Sequence, residues 1–450
     1  MVVADSSRVS LGGGAPLTVG YSPPCHAQGL VTAVVPGAPP AASLDVRLEA
    51  GFPLPNATFF DSSEIKLMFY DAAGERRRVV GQAAFQPARV VGEVVPGVWR
   101  FAAVGAGWAS FTPSPGMLCT LSPRVNTSGF VIPDYYGGNA LSVYGSASVA
   151  VRGVVLLGSG NFGVLEWGGE GAHTYEGLRI ARAEGSLLST NCDGFHSFAC
   201  GTGGALVDSD VSFTGDDVVN FHNRAALLLR SNASTGEVLL ADVGDVVDHA
   251  GAVRRALADV GTGDALEVYQ AGQLGAFVGM LFALGPLSLE DDPALLVEAR
   301  ALVAAAIGAG RANPGAVAVW RGEVRVVGAA APLVAGQALL FPRRASARGA
   351  LRNVTATDVY DSCGRLQASG VAYEGSYCAR SYSGLSVQYD WAFLEGSRGL
   401  KNIRVVGNAF AAVGDPPARN MSQVIHADPD VAGLVVENNT VLPAAERARV

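Results

Sequence analysis

The sequence predicts an all-β protein: a right-handed parallel β-helix interrupted by an inserted small β-rich domain. Three observations lead there. One strand-like phrase recurs along the chain, the composition is rich in turn formers and poor in charge, and two aspartate motifs stand one coil apart. Glycine accounts for 57 of 450 residues and proline for 23, while apolar residues make up 49% and charged residues 16%. Such a chain turns often and buries a large core, which excludes disorder.

The phrase is a glycine followed by alternating apolar and small polar residues. It reads Gly153-Val-Val-Leu-Leu-Gly, Gly177-Leu-Arg-Ile-Ala and Gly204-Ala-Leu-Val-Asp-Ser-Asp-Val-Ser-Phe. It returns as Gly349-Ala-Leu-Arg-Asn-Val-Thr-Ala, Gly399-Leu-Lys-Asn-Ile-Arg-Val-Val-Gly and Gly433-Leu-Val-Val-Glu-Asn-Asn-Thr-Val. The leading glycines are spaced by 24 and 27 residues, then by 50 and 34. A coil of a parallel β-helix takes roughly two dozen, and loops of varied length blur the period. Alternation at period two is strand behaviour. Asn353, Asn402, Asn408, Asn438 and Asn439 recur near the unit ends, where bends need the left-handed conformation that Asn tolerates. A β-sandwich would not repeat one phrase at coil-length intervals.

The repeat places the β-helix at 116–230 and 346–450, with an N-terminal β-rich region at 1–115 and an inserted domain at 231–345. In the N-terminal region, strand-like runs at Ala41 to Leu48, Glu64 to Tyr70 and Val94 to Phe101 lack the Gly-led phrase. Within the insert, Leu295, Leu296, Ala299 and Leu302 fall at helical spacing over Asp292 to Ile307. Strand-like pieces surround that helix at Ala265 to Gln270, Ala316 to Arg321 and Val324 to Val327. Tyr269 to Leu289 carries no charge, but its four glycines, Pro286 and two glutamines suit a buried strand pair better than a membrane span. No stable membrane insertion is expected.

The formal net charge is −8, with only Lys66 and Lys401 as lysines and no basic run. That excludes a nucleic-acid footprint. Asn56, Asn126, Asn232, Asn353, Asn420 and Asn438 are Asn-X-Ser/Thr acceptors, and they suggest a secreted or secretory-pathway protein, although Met1 to Gly20 holds no signal-peptide core. Cys192 with Cys200, and Cys363 with Cys378, are each either a bridge or buried thiols. Neither zinc spacing, a nucleotide-binding loop nor a Gly-X-Ser-X-Gly elbow occurs, so neither cofactor nor metal is expected.

Chemistry concentrates in Asn191-Cys-Asp-Gly-Phe-His-Ser and Gly215-Asp-Asp-Val-Val-Asn-Phe-His. Asp193 precedes Asp216 and Asp217 by 23 and 24 residues, one coil. Consecutive coils stack about 4.8 Å apart, which brings the three carboxylates into one patch. Like charges so close do not all ionise freely, and the cluster divides into an acid and bases. Glycoside hydrolysis needs that division. His196 and His222 lie within reach of the patch, with Gly194 supplying the bend that turns His196 toward it. Glu166 with Trp167, and Trp391 with Glu395, combine an acid with an aromatic as sugar sites do. All six are candidate substrate-binding residues.

The two motifs resemble the Asn-Thr-Asp and Gly-Asp-Asp motifs of polygalacturonases. The fuller phrases are more similar to glycoside hydrolase family 110. That resemblance implies an exo-acting, inverting α-1,3-galactosidase, built on a right-handed β-helix with a small barrel inserted after the Asp-Asp coil. It covers roughly 120–445 and implies Asp193, Asp216 and Asp217 as catalytic residues. The polygalacturonase Arg-X-Lys motif has no equivalent after the paired aspartates, which argues against a uronic-acid substrate. Asp193 and Asp217, in register, are expected to hold one water. Asp216 is expected to be the general acid, 6.5–9.5 Å from a base as inversion requires. A non-catalytic carbohydrate-binding or surface β-helix is the alternative. A polysaccharide lyase is disfavoured, since no Lys or Arg neighbours the aspartates in sequence.

Overall fold

The computed structural model describes residues 1–20, 24–37, 42–55, 65–73, 77–79, 86–104, 108, 111–123, 138–223, 225–243, 246–247, 253–254, 256–271, 276–307, 317–328, 332–391, 394–396, 399–414 and 420–442. Among these residues the spine is a parallel β-helix of eight coils with three faces. The first face stacks Val2–Ala4, Leu141–Tyr144, Val164–Trp167, Phe195–Phe198, Val219–His222, Ser362–Leu366, Ser383–Val387 and Ile425–Ala427, all parallel. The second and third faces form one larger sheet, because Ser10–Gly20 and Ala150–Leu157 each run through both. In later coils a tight bend splits them. Gly177, Asp208, Asn353, Gly375, Gly407 and Asn438 occupy that bend with φ between 48° and 70°. Asp and Asn meet this need with little strain.

In-register stacking turns the alternation into a core. Val164, Phe195, Val219, Phe221 and Leu366 point inward, with Tyr175, Phe195 and Phe221 ringed 5.0 and 5.9 Å apart. Each large buried side chain contributes roughly 1.5–3 kcal/mol. The bends carry polar ladders: the Asn408 Oδ1 accepts from Ser376 N, and the Asn439 Oδ1 from Asn408 N. Asn408 and Asn439 are thus ladder residues, whereas Asn353, Asn402 and Asn438 hold left-handed bends.

Residues 1–115 do not form one N-terminal region. Val2–Ala4 pairs with Leu141–Tyr144, and Ser10–Gly20 with Ala150–Leu157, making the first coil of the helix. The pairing shifts register between Arg152, opposite Gly12, and Val154, opposite Leu17. After that coil the chain closes a barrel of six antiparallel strands, ordered Ala27–Val35, Ser43–Leu48, Val98–Ala103, Gln86–Val95, Ile65–Tyr70 and Leu118–Pro123. It then returns to the second coil.

A second barrel interrupts the fifth coil, between Val219–His222 on the first face and Ala350–Arg352 on the second. Its ring runs Ala226–Asn232, Glu237–Val243, Val317–Val327, Phe277–Ala283, Ala265–Tyr269 and Ala338–Leu340. Counted along the chain, both barrels join their strands as first, second, fifth, fourth, third and sixth. The helix Pro293–Ile307 packs outside the second barrel through Leu295, Ala299 and Val303. Tyr269 to Leu289 supplies barrel strands, and among the described residues no helix is long and apolar enough to cross a membrane. Asn56, Asn126 and the turn-rich stretch 308–315 lie outside the described residues.

Candidate active site

The site lies where the chain turns from the third face into the first, on coils four to six. Backbone bonds stack that turn rung on rung. Thr190 pairs with Thr214, Gly194 N donates to Asp217 O, and Asp361 N donates to Asp216 O. Asp193 and Asp217 therefore share one row, which continues to Ser362. Cys192 and Asp216 share the next, which continues to Asp361. One oxygen from each of Asp193, Asp216 and Asp217 lies within 4.8 Å of the others.

The three carboxyls are not equivalent. Asp193 Oδ2 lies 2.6 Å from His196 Nδ1, and its Oδ1 accepts from Asp217 N at 3.3 Å. Asp217 Oδ1 accepts from Ser362 N at 3.0 Å and from Ser362 Oγ, while its Oδ2 pairs with Arg365 Nε at 3.0 Å. Asp216 is half-buried, and among the described residues its carboxyl makes no hydrogen bond or ion pair. Asp193 and Asp217 are 4% and 2% exposed. Burial holds both well above the ordinary carboxylate range; the Asp216 charge adds to this at Asp193, and Arg365 opposes it at both. Burial also raises Asp216, and Lys66 is the main opposing charge.

Several partners were hidden from sequence reasoning. Arg365 stands among Asp217, Asp390 at 3.4 Å and Asp361 at 3.8 Å. The second barrel separates Asp217 from Ser362 by 145 positions, so no local motif linked them. Lys66, buried on the first barrel, donates to Asn191 O at 2.9 Å and to Gly215 O. It anchors both site loops from behind. The expectation that no Lys or Arg neighbours the aspartates is thereby corrected, because folding brings one of each from distant segments.

The other expected site residues divide. His196 contacts Asp193, His222 contacts His196 at 2.8 Å, and Glu395, 8% exposed, acts electrostatically on Asp193, Asp216 and Arg365. Glu166 points into the solenoid, fully buried, where it accepts from Gly204 N at 2.6 Å and Tyr175 Oη at 3.2 Å. Period two dictates this, since Glu166 shares the inward row with Val164. Its role as a sugar ligand is corrected to that of an interior acid. Trp167 is 5% exposed in an outer cluster with Tyr144, Phe162 and Phe198. Trp391 instead donates its Nε1–H to Ala306 O, clamping the site loop to the second barrel's helix. Among the cysteines, Cys363 and Cys378 form the disulfide, while Cys192 and Cys200 are buried thiols.

Two chemical uses fit three such carboxyls: sharing protons or sharing a cation. Arg365 already pairs with Asp217 and His196 with Asp193, and we assign no metal. The spacing also corrects an expectation. Neighbouring rungs set the nearest oxygens within 4.8 Å, shorter than the 6.5–9.5 Å of a typical inverting pair. Stacking on one wall, not placement across a cleft, fixes that distance.

No protein-family model matches the chain, and no curated protein matches it in sequence. Among solved structures, one similar fold is the catalytic domain of a GH87 α-1,3-glucanase in complex with tetrasaccharides. That alignment covers 92% of this chain and 77% of the other, at 8% identity and a TM-score of 0.30. So slight a likeness does not bear on function.

Proposed function

We propose that the chain is a glycoside hydrolase whose acid/base group is Asp193, Asp216 and Asp217. The observation that carries this reading is the inequality of the triad: two buried, partnered carboxyls beside one half-buried carboxyl that, among the described residues, makes no hydrogen bond or ion pair. Asp216 is the general acid toward the departing oxygen. Asp193 and Asp217, with oxygens within 4.8 Å, are close enough to bond one water together. The sugar is neutral, since six carboxyls (Asp193, Asp216, Asp217, Asp361, Asp390 and Glu395) outnumber Arg365 and Lys66. The particular reaction we propose is exo-acting, inverting release of terminal α-linked galactose, a choice that rests on the motif resemblance and not on the carboxyl spacing, which is shorter than that of a typical inverting pair.

A lyase would need a cationic base that can give up its proton. Four carboxylates, Asp217 foremost and then Asp361, Glu395 and Asp216, hold Arg365 in its charged form. Lys66 is spent on two carbonyls. Neither serves as that base. The test is hydrolysis of a panel of aryl glycosides, followed by proton NMR of the first-formed sugar. The account expects turnover of the α-galactoside with β-galactose as first product. An α-product, or turnover only of another glycoside, overturns the particular reaction. A chain that binds galactosides but hydrolyses no glycoside overturns the class and leaves a binding protein.

A further inference from the structure

Alternate residues on the outer side of the first face align in rows along the stack. Leu165, His196 and Asn220 share one row; Trp167, Phe198 and His222 share the next. His196 joins the rows to the triad. Its Nδ1 lies 2.6 Å from Asp193 Oδ2, and its Nε2 lies 2.8 Å from Nε2 of His222. Nδ1 of His222 lies 2.9 Å from the Asn223 carbonyl oxygen. Both rings are buried, at 7% and 1% exposed, with Phe162 4.3 Å from His196 and Phe198 5.0 Å from His222.

Counting hydrogens across this chain leaves one answer. A carbonyl oxygen only accepts, so Nδ1 of His222 carries a hydrogen. The two Nε2 atoms share one hydrogen, because two would collide and none would leave two lone pairs facing each other. The contact between His196 Nδ1 and Asp193 likewise holds one. Three contacts need three protons, and two neutral imidazoles bring two. The third either protonates Asp193 or makes one ring a cation. In both cases the unit of one carboxyl and two rings is net neutral.

We infer that Asp193, His196 and His222 act as a single proton-holding unit. In it, the two histidines are positioning residues for the triad and not sugar ligands. The charged groups around it are Asp216, Asp217, Arg365 and Glu395. A neutral Asp193 unit leaves Arg365 to compensate Asp217. Three carboxyls within 4.8 Å then no longer present three like charges, and Asp216 titrates beside one fewer anion. This deepens the glycosidase reading and rests on it for its catalytic meaning, but the proton count stands on geometry alone.

The test uses the full chain labelled with 15N-histidine, its ring signals assigned by loss in His196→Gln and His222→Gln and followed by NMR across pH. Between pH 6 and 8 His222 should be protonated at Nδ1 and His196 at Nε2. The third proton should leave only at a pH clearly above that of an ordinary histidine. In Asp193→Asn the amide supplies that hydrogen covalently, and the transition should vanish while the ring tautomers stay. A bare Nδ1 on His222, or two rings titrating independently near pH 6.5, overturns the unit. For turnover, His222→Gln keeps an oxygen to accept from His196 and should keep the wild-type pH profile, whereas His222→Leu should lose its alkaline side. Identical profiles for these two variants would sink the positioning role. If no glycoside is hydrolysed at all, the glycosidase reading fails, and the NMR result still decides the proton count.

Discussion

The two barrels share one strand order and differ in how they meet the solenoid. The first docks through a bare strand. Along Ile65–Tyr70, Ile65, Leu67 and Phe69 fill the barrel, while Met68 and Tyr70 pack on Leu187, Leu188 and Tyr360 and Lys66 reaches the site loops. The second docks through its helix. Leu295, Ala299 and Val303 cover its outer wall together with Tyr389 and Leu394 from the seventh coil, and Ala306 receives Trp391. One topology thus serves two tasks. The first barrel braces the aspartate loops directly, and the second braces the loop that carries Glu395.

The largest expected effect tests the first junction. Asp358 is buried, pairs with Arg380 at 2.7 and 2.9 Å, and meets Arg77 and the backbone of Arg78 from the first barrel. Replacing one partner of such a group leaves buried charge uncompensated, so Asp358→Ala should cost about 3–5 kcal/mol in urea unfolding. A loss under 1 kcal/mol would mean the barrel is held by its apolar contacts alone.

Glu166 lies in the solenoid interior, outside both junctions, and reports on the spine. Burial raises its pKa from 4.5 to about 7. Its stabilising contribution is therefore full below pH 4.5 and fades as pH rises through about 7. Glu166→Gln cannot titrate, so its stability relative to wild type should climb by on the order of 3 kcal/mol from pH 4 to 8. A pH-independent difference would contradict the interior placement.

Lys66→Met should cost about 2 kcal/mol, the scale of charge-assisted bonds to two carbonyls, and should lower kcat because both aspartate loops lose their anchor. Trp391→Leu should cost about 1 kcal/mol, for one hydrogen bond and part of a ring, with a smaller kinetic effect passed through Glu395. Equal kinetic losses in the two variants would erase the difference between the barrels.

Much of the solenoid was legible because the repeat is written in local alternation. Leu178 and Ile180, alternating with Arg179 in the Gly177 phrase, read as inward residues from period two alone. Legibility failed where contacts cross long sequence distances. The first coil was missed because its closing strands lie beyond a whole barrel. Arg365 and Asp361 were missed because the second barrel stands between them and Asp217. Lys66 sits in an apolar strand whose period shows two faces but not what the outer face touches. Glu166 shows the opposite failure: motif reasoning favoured an acid beside a tryptophan, although the strand period already sent it inward.

The central claim, that Asp216 is the acid and Asp193 with Asp217 direct the water, has one most direct measurement. It compares turnover of an unactivated α-galactosyl disaccharide with that of a dinitrophenyl α-galactoside, in Asp216→Asn and Asp217→Asn. A good leaving group needs no proton, and general acid catalysis is worth roughly 10²–10⁴-fold. Asp216→Asn should therefore lose that factor on the disaccharide and little on the activated substrate, while Asp217→Asn loses both alike. Equal losses on both substrates in Asp216→Asn would contradict the account.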